Sequence, residues 1–275
     1  PYTLRKPNYS FSGTDPEYYS VRIAPQLVGL GLLEAIDENT IVSFSDPSDL
    51  DQDGISGKIN ALTDLETGET RLGRFGYKAS KAHLKHHIAS ALNTDMGITT
   101  SFYPTIDHKN TGSSLEINDE ELDLMYRYVA LLAVMPQRNF NNANVLQGKR
   151  LFSWANCVAC HKDEIQTSDY HPLTELRNQT IRPYTDLLLH DMGPGLADNM
   201  GEELASGSEW RTAPLWNIGH TDEVSGGEAY LHDGRARSIE EAILWHGGEA
   251  EASKEAFRTM SAYNRNALVQ FIKSL

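Results

Sequence analysis

The chain has 275 residues, 40% of them hydrophobic and 23% charged, with a net charge of -14 and no apolar run long enough to span a bilayer. This composition excludes wholesale disorder and predicts one large domain or two modest ones. The acidic balance argues against nucleic acid and anionic membrane as partners; a solvated acidic surface that favours solubility is its plainer reading, and docking to a basic redox partner the alternative.

The chain begins at Pro1 without an initiator Met or signal segment, as expected after either processing or truncation. The first sixty residues are rich in Pro, Gly, Ser and Asp and read as loops around one apolar segment, Ile23 to Ile36. Within them Asp49, Asp51, Asp53 and Ile55 fall at alternate positions, with Gly54 at the turn, the pattern of an EF-hand-like calcium loop. Its twelfth position is Asn60 rather than a bidentate Glu, and an acidic turn with Asx hydrogen bonds is the plainer alternative.

Residues 79–92 predict a helix with Leu84, Ile88 and Leu92 along one face. It carries His83, His86 and His87; His83 and His87 share a face, but two imidazoles alone make a poor metal site. A second helix is expected over 118–135, capped by Asn118, with Leu122, Met125, Val129 and Leu132 on one stripe. The polar link Asn141 to Asn144 divides an N-terminal region, 1–143, from a C-terminal domain, 144–275. A third helix, 145–156, leads into the two cysteines of the chain. Residues 162–208, with Pro172, Pro183 and Pro194, read as largely irregular. Ser238 and Glu241 predict a capping box for a helix over 239–246. A last helix over 253–274 places Phe257, Leu268, Phe271 and Ile272 on one side. The fold class expected is mainly α with long loops.

Cys157, Cys160 and His161 form the C-x-x-C-H signature of c-type haem attachment. Two thiols one helical turn apart can each add to a vinyl group on one porphyrin edge, and the adjacent imidazole then lies under the iron. A disulfide three residues long would add little to a fold of this size. Zinc would need a second Cys/His pair at suitable spacing, and a thioredoxin-like motif would follow a strand rather than a helix. Haem c implies an extracytoplasmic, periplasmic setting and electron transfer with a redox partner protein. The sixth iron position has candidates in His171, His190, Met192, Met200, His220, His232, His246 and Met260, which periodicity does not separate.

Gly148 to Phe152 before the motif, and the amphipathic helix at the end of the chain, resemble the first and last helices of cytochrome c domains, which cross above the haem. The stretches Pro183 to Asp186, His190 to Gly193, Trp210 to Leu215, Tyr230 to Arg235 and Ser238 to Ala242 closely resemble the C-terminal haem domain of bacterial di-haem cytochrome c peroxidases and of the di-haem enzymes that oxidise tryptophan side chains. Ile23 to Pro25, Gly29 to Gly31 and Gly73 to Gly76 extend the match, so that the whole chain looks most like the di-haem oxidoreductases that often carry a thiol-oxidoreductase label. No residue supports that label, because both cysteines are taken by haem.

The resemblance implies a cytochrome c-like haem domain in the C-terminal half, preceded by a helical, loop-rich, partial cytochrome c-like domain. It also implies that the distal ligand lies about fourteen residues beyond His232, which falls on His246, with Met192 as the runner-up. A haem held by His161 and His246 has no open site and transfers electrons. Relatives carry a second attachment motif that this chain lacks, so the chain is expected to be the C-terminal portion of a longer di-haem protein. Asp95 falls where the peroxidases place an acidic residue for peroxide chemistry, and a helix-end carboxylate is its plainer role. Arg211, Arg235 and Arg237 are candidates for the haem propionates. Trp154, Trp210, Trp216 and Trp245 are read as packing residues, with Trp154 and Trp245 in the haem pocket and Trp245 the best electron relay. Two functions follow: the electron-transfer domain of a peroxidase-like di-haem enzyme, or a mono-haem cytochrome c carrier without activity of its own.

Overall fold

The computed structural model describes residues 2–106 and 114–275. In chain order it forms helices α1 (Leu30–Glu34) and α2 (Glu38–Val42), strands β1 (Ala61–Thr63) and β2 (Thr70–Leu72), and helices α3 (Leu84–Met96), α4 (Asp119–Ala130) and α5 (Ala143–Trp154). Strands β3 (Ile165–Gln166), β4 (Thr180–Ile181), β5 (Leu189–Asp191) and β6 (Glu209–Arg211) follow, then α6 (Thr221–Ser225), α7 (Ile239–Trp245), α8 (Glu251–Thr259) and α9 (Ala262–Ser274). The strands pair antiparallel, β1 with β2, β3 with β4 and β5 with β6.

Among the described residues 35% are helical, single 3-10 turns included, and 10% lie in strands or isolated bridges, which corrects the expected mainly α architecture of a cytochrome c-like domain after a partial one. The physical reason is local. Proline and positive-φ positions such as Tyr184, Leu187 and Asn199 keep the backbone from continuing any helix between α5 and α6, and short ladders satisfy its amides instead.

Helix boundaries follow their caps. Ala79 has φ 51 and the backbone bridges Phe75 to Lys81, so α3 starts only at Leu84 and stops at Gly97, where φ is 66. α4 opens on a complete capping box between Asn118 and Glu121. It ends at Ala130, five residues earlier than the periodicity predicts, because the Leu132 carbonyl turns to accept the Gly29 amide at 2.9 Å. The expected last helix is two: Ser261 leaves the helical path and caps α9 through the Asn264 amide. In α7 Ser238 caps Glu241, but the Glu241 carboxylate closes on the Arg237 amide, so the box is half-formed.

Two apolar clusters result. One joins α1, α3 and α4 with Ile165, Leu173, Ile181, Leu187, Leu188 and Trp216. The other joins α5, α7, α8 and α9 around Phe152, Tyr184, Phe257, Leu268 and Phe271. α5 crosses α9 at Gly148, where a Cβ would overlap the Ala267 carbonyl oxygen and crowd the Phe271 side chain. Only glycine lets the two backbones approach so closely. That crossing sets the floor of the candidate site.

Candidate haem site

α5 ends at Trp154, and Asn156, at φ 59, turns the chain into a single tight turn over Cys157–Ala159. The His161 amide donates to the Cys157 carbonyl at 2.9 Å, so both thiols and the imidazole lie on one turn. Cys157 and Cys160 do not form a disulfide with each other, and burial raises the pKa of the Cys157 thiol to about 12.

His161 donates its Nδ1 hydrogen to the Tyr184 carbonyl at 2.7 Å. A carbonyl only accepts, so the proton sits on Nδ1 and the Nε2 lone pair is left to bind a metal. Burial pushes this imidazole down to about 4 and keeps it neutral. The carbonyl is aimed by Tyr184 itself, held at φ 54 while its ring packs edge-on against Phe152 of α5 and Phe271 of α9. The helix crossing thus orients the ligand.

His246 caps the C-terminus of α7 and repeats the arrangement. Its Nδ1 donates to the Ala242 carbonyl at 2.8 Å, burial again lowers its pKa, and its charge would oppose protonation of His161. Among the described residues neither Nε2 has a hydrogen-bond partner. Half-buried Val158, Leu215, Ile218, Leu231, Ile243 and Leu244 pack on the same core cluster. Two thiols, two neutral imidazoles offering Nε2 and an apolar wall fit a covalently attached haem. Met192 is also near: the 191–193 backbone packs against Gly247 and Gly248, directly after His246.

Beside Cys160 stands a group that no spacing signalled. His190 is buried, with Nε2 2.9 Å from Asp186 Oδ2 and Nδ1 2.6 Å from Glu249 Oε2. Both acceptors are carboxylates, so both ring nitrogens donate and the ring is an imidazolium. Burial lowers its pKa, but the bonds to Asp186, Cys160 and Glu249 outweigh that and raise it to about 12. Glu249 is drawn down to about 2, against the opposing effect of its burial. Its carboxylate also accepts the Ser56 hydroxyl at 2.7 Å and the Ser56 and Asp191 amides. Cys160 Sγ lies 3.6 Å from His190 Nδ1. The cluster therefore ties the attachment turn, the Tyr184–Asp186 segment that anchors His161 and the turn after His246. Asp186 to His190 belongs to family-like stretches, but Glu249 lies 59 residues away and shares no pattern with them.

The other sequence candidates separate. Arg235 is paired with Asp233, and Arg237, exposed, with Glu241. Among the described residues the Arg211 side chain has only the Gly76 and Thr212 carbonyls. Trp245 carries the Arg235 guanidinium over its ring at 4.8 Å, and its Nε1 is buried without a partner among the described residues. Trp154 is 66% exposed and lines a surface cavity of about 310 Å³ with Leu151, Thr259, Met260 and Asn264. Trp216 belongs to the first core cluster, and Trp210 stacks on His232 at 3.8 Å. Asp95 is exposed at the end of α3, accepting from the Thr94 hydroxyl.

His83 precedes α3 as its cap and pairs with Asp64 at 2.8 Å, so it does not share a helical face with His87. His86 meets the Tyr103 hydroxyl at 2.8 Å. Carboxylate oxygens of Asp49, Asp51 and Asp53 converge within 4.8 Å, yet each accepts an amide of its own loop, from Gly54, Asp53 and Ile55. Asn60 is buried elsewhere, bonded to Lys78, Glu202 and Leu204. Between this loop and the attachment turn lies a cavity of about 320 Å³ that reaches Asp186 and His190.

Comparison with known proteins bears on this geometry. A family described as "Di-haem oxidoreductase, putative peroxidase" matches residues 15–119 and 107–275. No curated protein matches the chain. One solved structure, of Kuenenia stuttgartiensis hydrazine synthase, aligns over 99% of this chain and 100% of that one, at 16% identity and a TM-score of 0.46. The family match spans nearly the whole sequence, and the chain belongs to the di-haem oxidoreductase family. No helix among the described residues is long and apolar enough to cross a membrane.

Proposed function

We propose that this member of the di-haem oxidoreductase family holds one haem c, thioether-linked through Cys157 and Cys160, with His161 and His246 on its iron, and relays electrons through it. The observation that supports this reading most is the matched pair of half-buried, neutral imidazoles, each with Nδ1 tied to a backbone carbonyl and, among the described residues, no hydrogen-bond partner on Nε2. When bound, a haem with two imidazole ligands supplies one-electron transfer at a lower potential than a His/Met pair and leaves no iron position open to peroxide. The chain's own residues fix the ligands: Tyr184 and Ala242 set the tautomers, the α5–α9 crossing sets the ring plane of His161, and the half-buried apolar wall excludes water.

In this reading the chain takes electrons from a protein partner and passes them to a second haem, and it works outside the cytoplasm, in the periplasm. A reduced-minus-oxidised spectrum with added carbon monoxide tests it. The wild type is expected to show no change on adding the gas, and His246→Ala to bind it. Rapid binding by the wild type, or an unchanged low-spin spectrum in the variant, would overturn the ligand assignment.

A further inference from the structure

The cluster around His190 carries a charge that its own members do not cancel. One imidazolium stands between two carboxylates, with Asp186 Oδ2 2.9 Å from Nε2 and Glu249 Oε2 2.6 Å from Nδ1. The His190 and Asp186 side chains are 3% and 1% exposed, and Glu249 is 12% exposed. One cation against two anions leaves a net negative charge. Lys58, whose charge also acts on Glu249, is itself paired with Glu209 at 2.8 Å and does not cancel it. Dipoles hold the excess instead. Glu249 accepts the Ser56 hydroxyl and the Ser56 and Asp191 amides, and Asp186 Oδ1 accepts the Leu188 amide at 2.9 Å.

This charge stands at the edge where the haem is attached. Cys160 Sγ is 3.6 Å from His190 Nδ1. Asp186 follows by two residues Tyr184, whose carbonyl holds His161, and Glu249 follows His246 by three. The cavity along the attachment turn adds to the same sign: Asp46, Asp51 and Asp53 line it with Asp186, against Lys162 and His190. Asp51 and Asp53 are exposed, so salt screens them, whereas Asp186 and Glu249 are shielded from it.

We infer that the buried Asp186–His190–Glu249 cluster sets the potential of the haem, its net negative charge holding the iron toward the ferric state. The inference rests on the covalent haem proposed above and stands whichever residue is the sixth ligand. Each electron passed to the redox partner leaves the haem with one more positive charge. A fixed negative charge in a medium of low permittivity stabilises that oxidised form.

The test is the midpoint potential of the haem-loaded chain, read by spectroelectrochemical titration at low and high salt. Glu249→Gln keeps the shape of the cluster, leaves His190 on Asp186 and removes the excess charge. Its midpoint is expected to rise by an amount that changes the reduced-to-oxidised ratio about tenfold, or ~59 mV for a one-electron couple, and to stay raised at high salt. Asp53→Asn is expected to give a smaller rise that fades with salt. The sign separates charge from damage, because a loosened pocket admits water, favours the charged ferric haem and lowers the midpoint. A midpoint that is unchanged or lowered in Glu249→Gln overturns this inference alone, and a wild-type chain without covalent haem overturns the reading beneath it as well. Asp186→Asn, which leaves His190 on Glu249, carries the same test if Glu249→Gln does not fold.

Discussion

Two neighbouring regions bury histidine with opposite results. His161 and His246 lie against the apolar cluster of α5, α7 and α9, each given one backbone carbonyl, and burial holds both neutral, His161 near 4. His190 is more fully buried than either, yet two carboxylates grip it and raise it to about 12. Burial decides the charge state only where nothing charged answers it. The neutral pair suits iron ligation, because a protonated nitrogen cannot ligate. The charged one suits structure, because an imidazolium between two carboxylates is a fixed clamp.

The largest expected effect is in acid, where neutral and charged histidines separate by pH. His86, His87 and His232, outside the proposed iron ligands, have folded pKa values lowered to about 4 from 6.5, so the unfolded chain binds protons that they refuse. Their contribution is complete above pH 6.5 and is lost as pH falls toward 4. Glu249, lowered to about 2 from 4.5, adds stability above pH 4.5 that is lost as pH falls through about 2. The raised pKa of His190 contributes fully below 6.5, so it does not weaken the protein in this range. Urea unfolding at stepped pH is expected to show the decline beginning near pH 6.5, at up to about 1.4 kcal/mol per pH unit for each histidine. Stability that stays flat down to pH 4.5 contradicts the neutral assignment.

Next in size is the clamp itself. His190→Leu leaves Asp186 and Glu249 buried without their cation and is expected to lower unfolding free energy by about 3–5 kcal/mol. A loss below about 1 kcal/mol in urea melts would mean that the imidazolium is not formed. Gly148→Ala acts on the other region. It drives a methyl into the Ala267 carbonyl and is expected to cost about 1–3 kcal/mol. It should also disturb the haem spectrum through Phe271 and Tyr184, whereas a small-residue effect confined to the helices would leave the spectrum unchanged.

Legibility in the sequence tracked the range of the interaction. The attachment turn was readable because its thiols and imidazole are adjacent, and α4 because Asn118 and Glu121 complete its cap within four residues. The Tyr184 and Ala242 carbonyls that set the two tautomers leave no mark, since any residue supplies a carbonyl. Glu249 reaches His190 across 59 residues with no periodicity to reveal it. The mainly α expectation failed where strands of two or three residues are too short to alternate. The long final helix failed because the apolar stripe runs past Met260 while the Ser261 hydroxyl restarts the helix.

The smallest expected effect tests whether helix capping reaches the iron. α7 is a seven-residue helix, with Ser238 accepting the Glu241 amide at 3.0 Å at its start and His246 at its end. The Ala242 carbonyl that fixes the His246 tautomer belongs to its second turn, so the cap and the ligand share one short element. Ser238→Ala removes the cap for about 1 kcal/mol of stability. In so short a helix that loss falls on the turn that presents His246, while His161, held from α5 and α9, is untouched. The haem-loaded variant is therefore expected to stay folded and low-spin, yet to bind carbon monoxide slowly where the wild type does not. If its carbon monoxide binding matches the wild type while the melt shows the full loss, α7 is not what holds the sixth ligand. The 191–193 backbone packed on Gly247 and Gly248 would then be the element that fixes it.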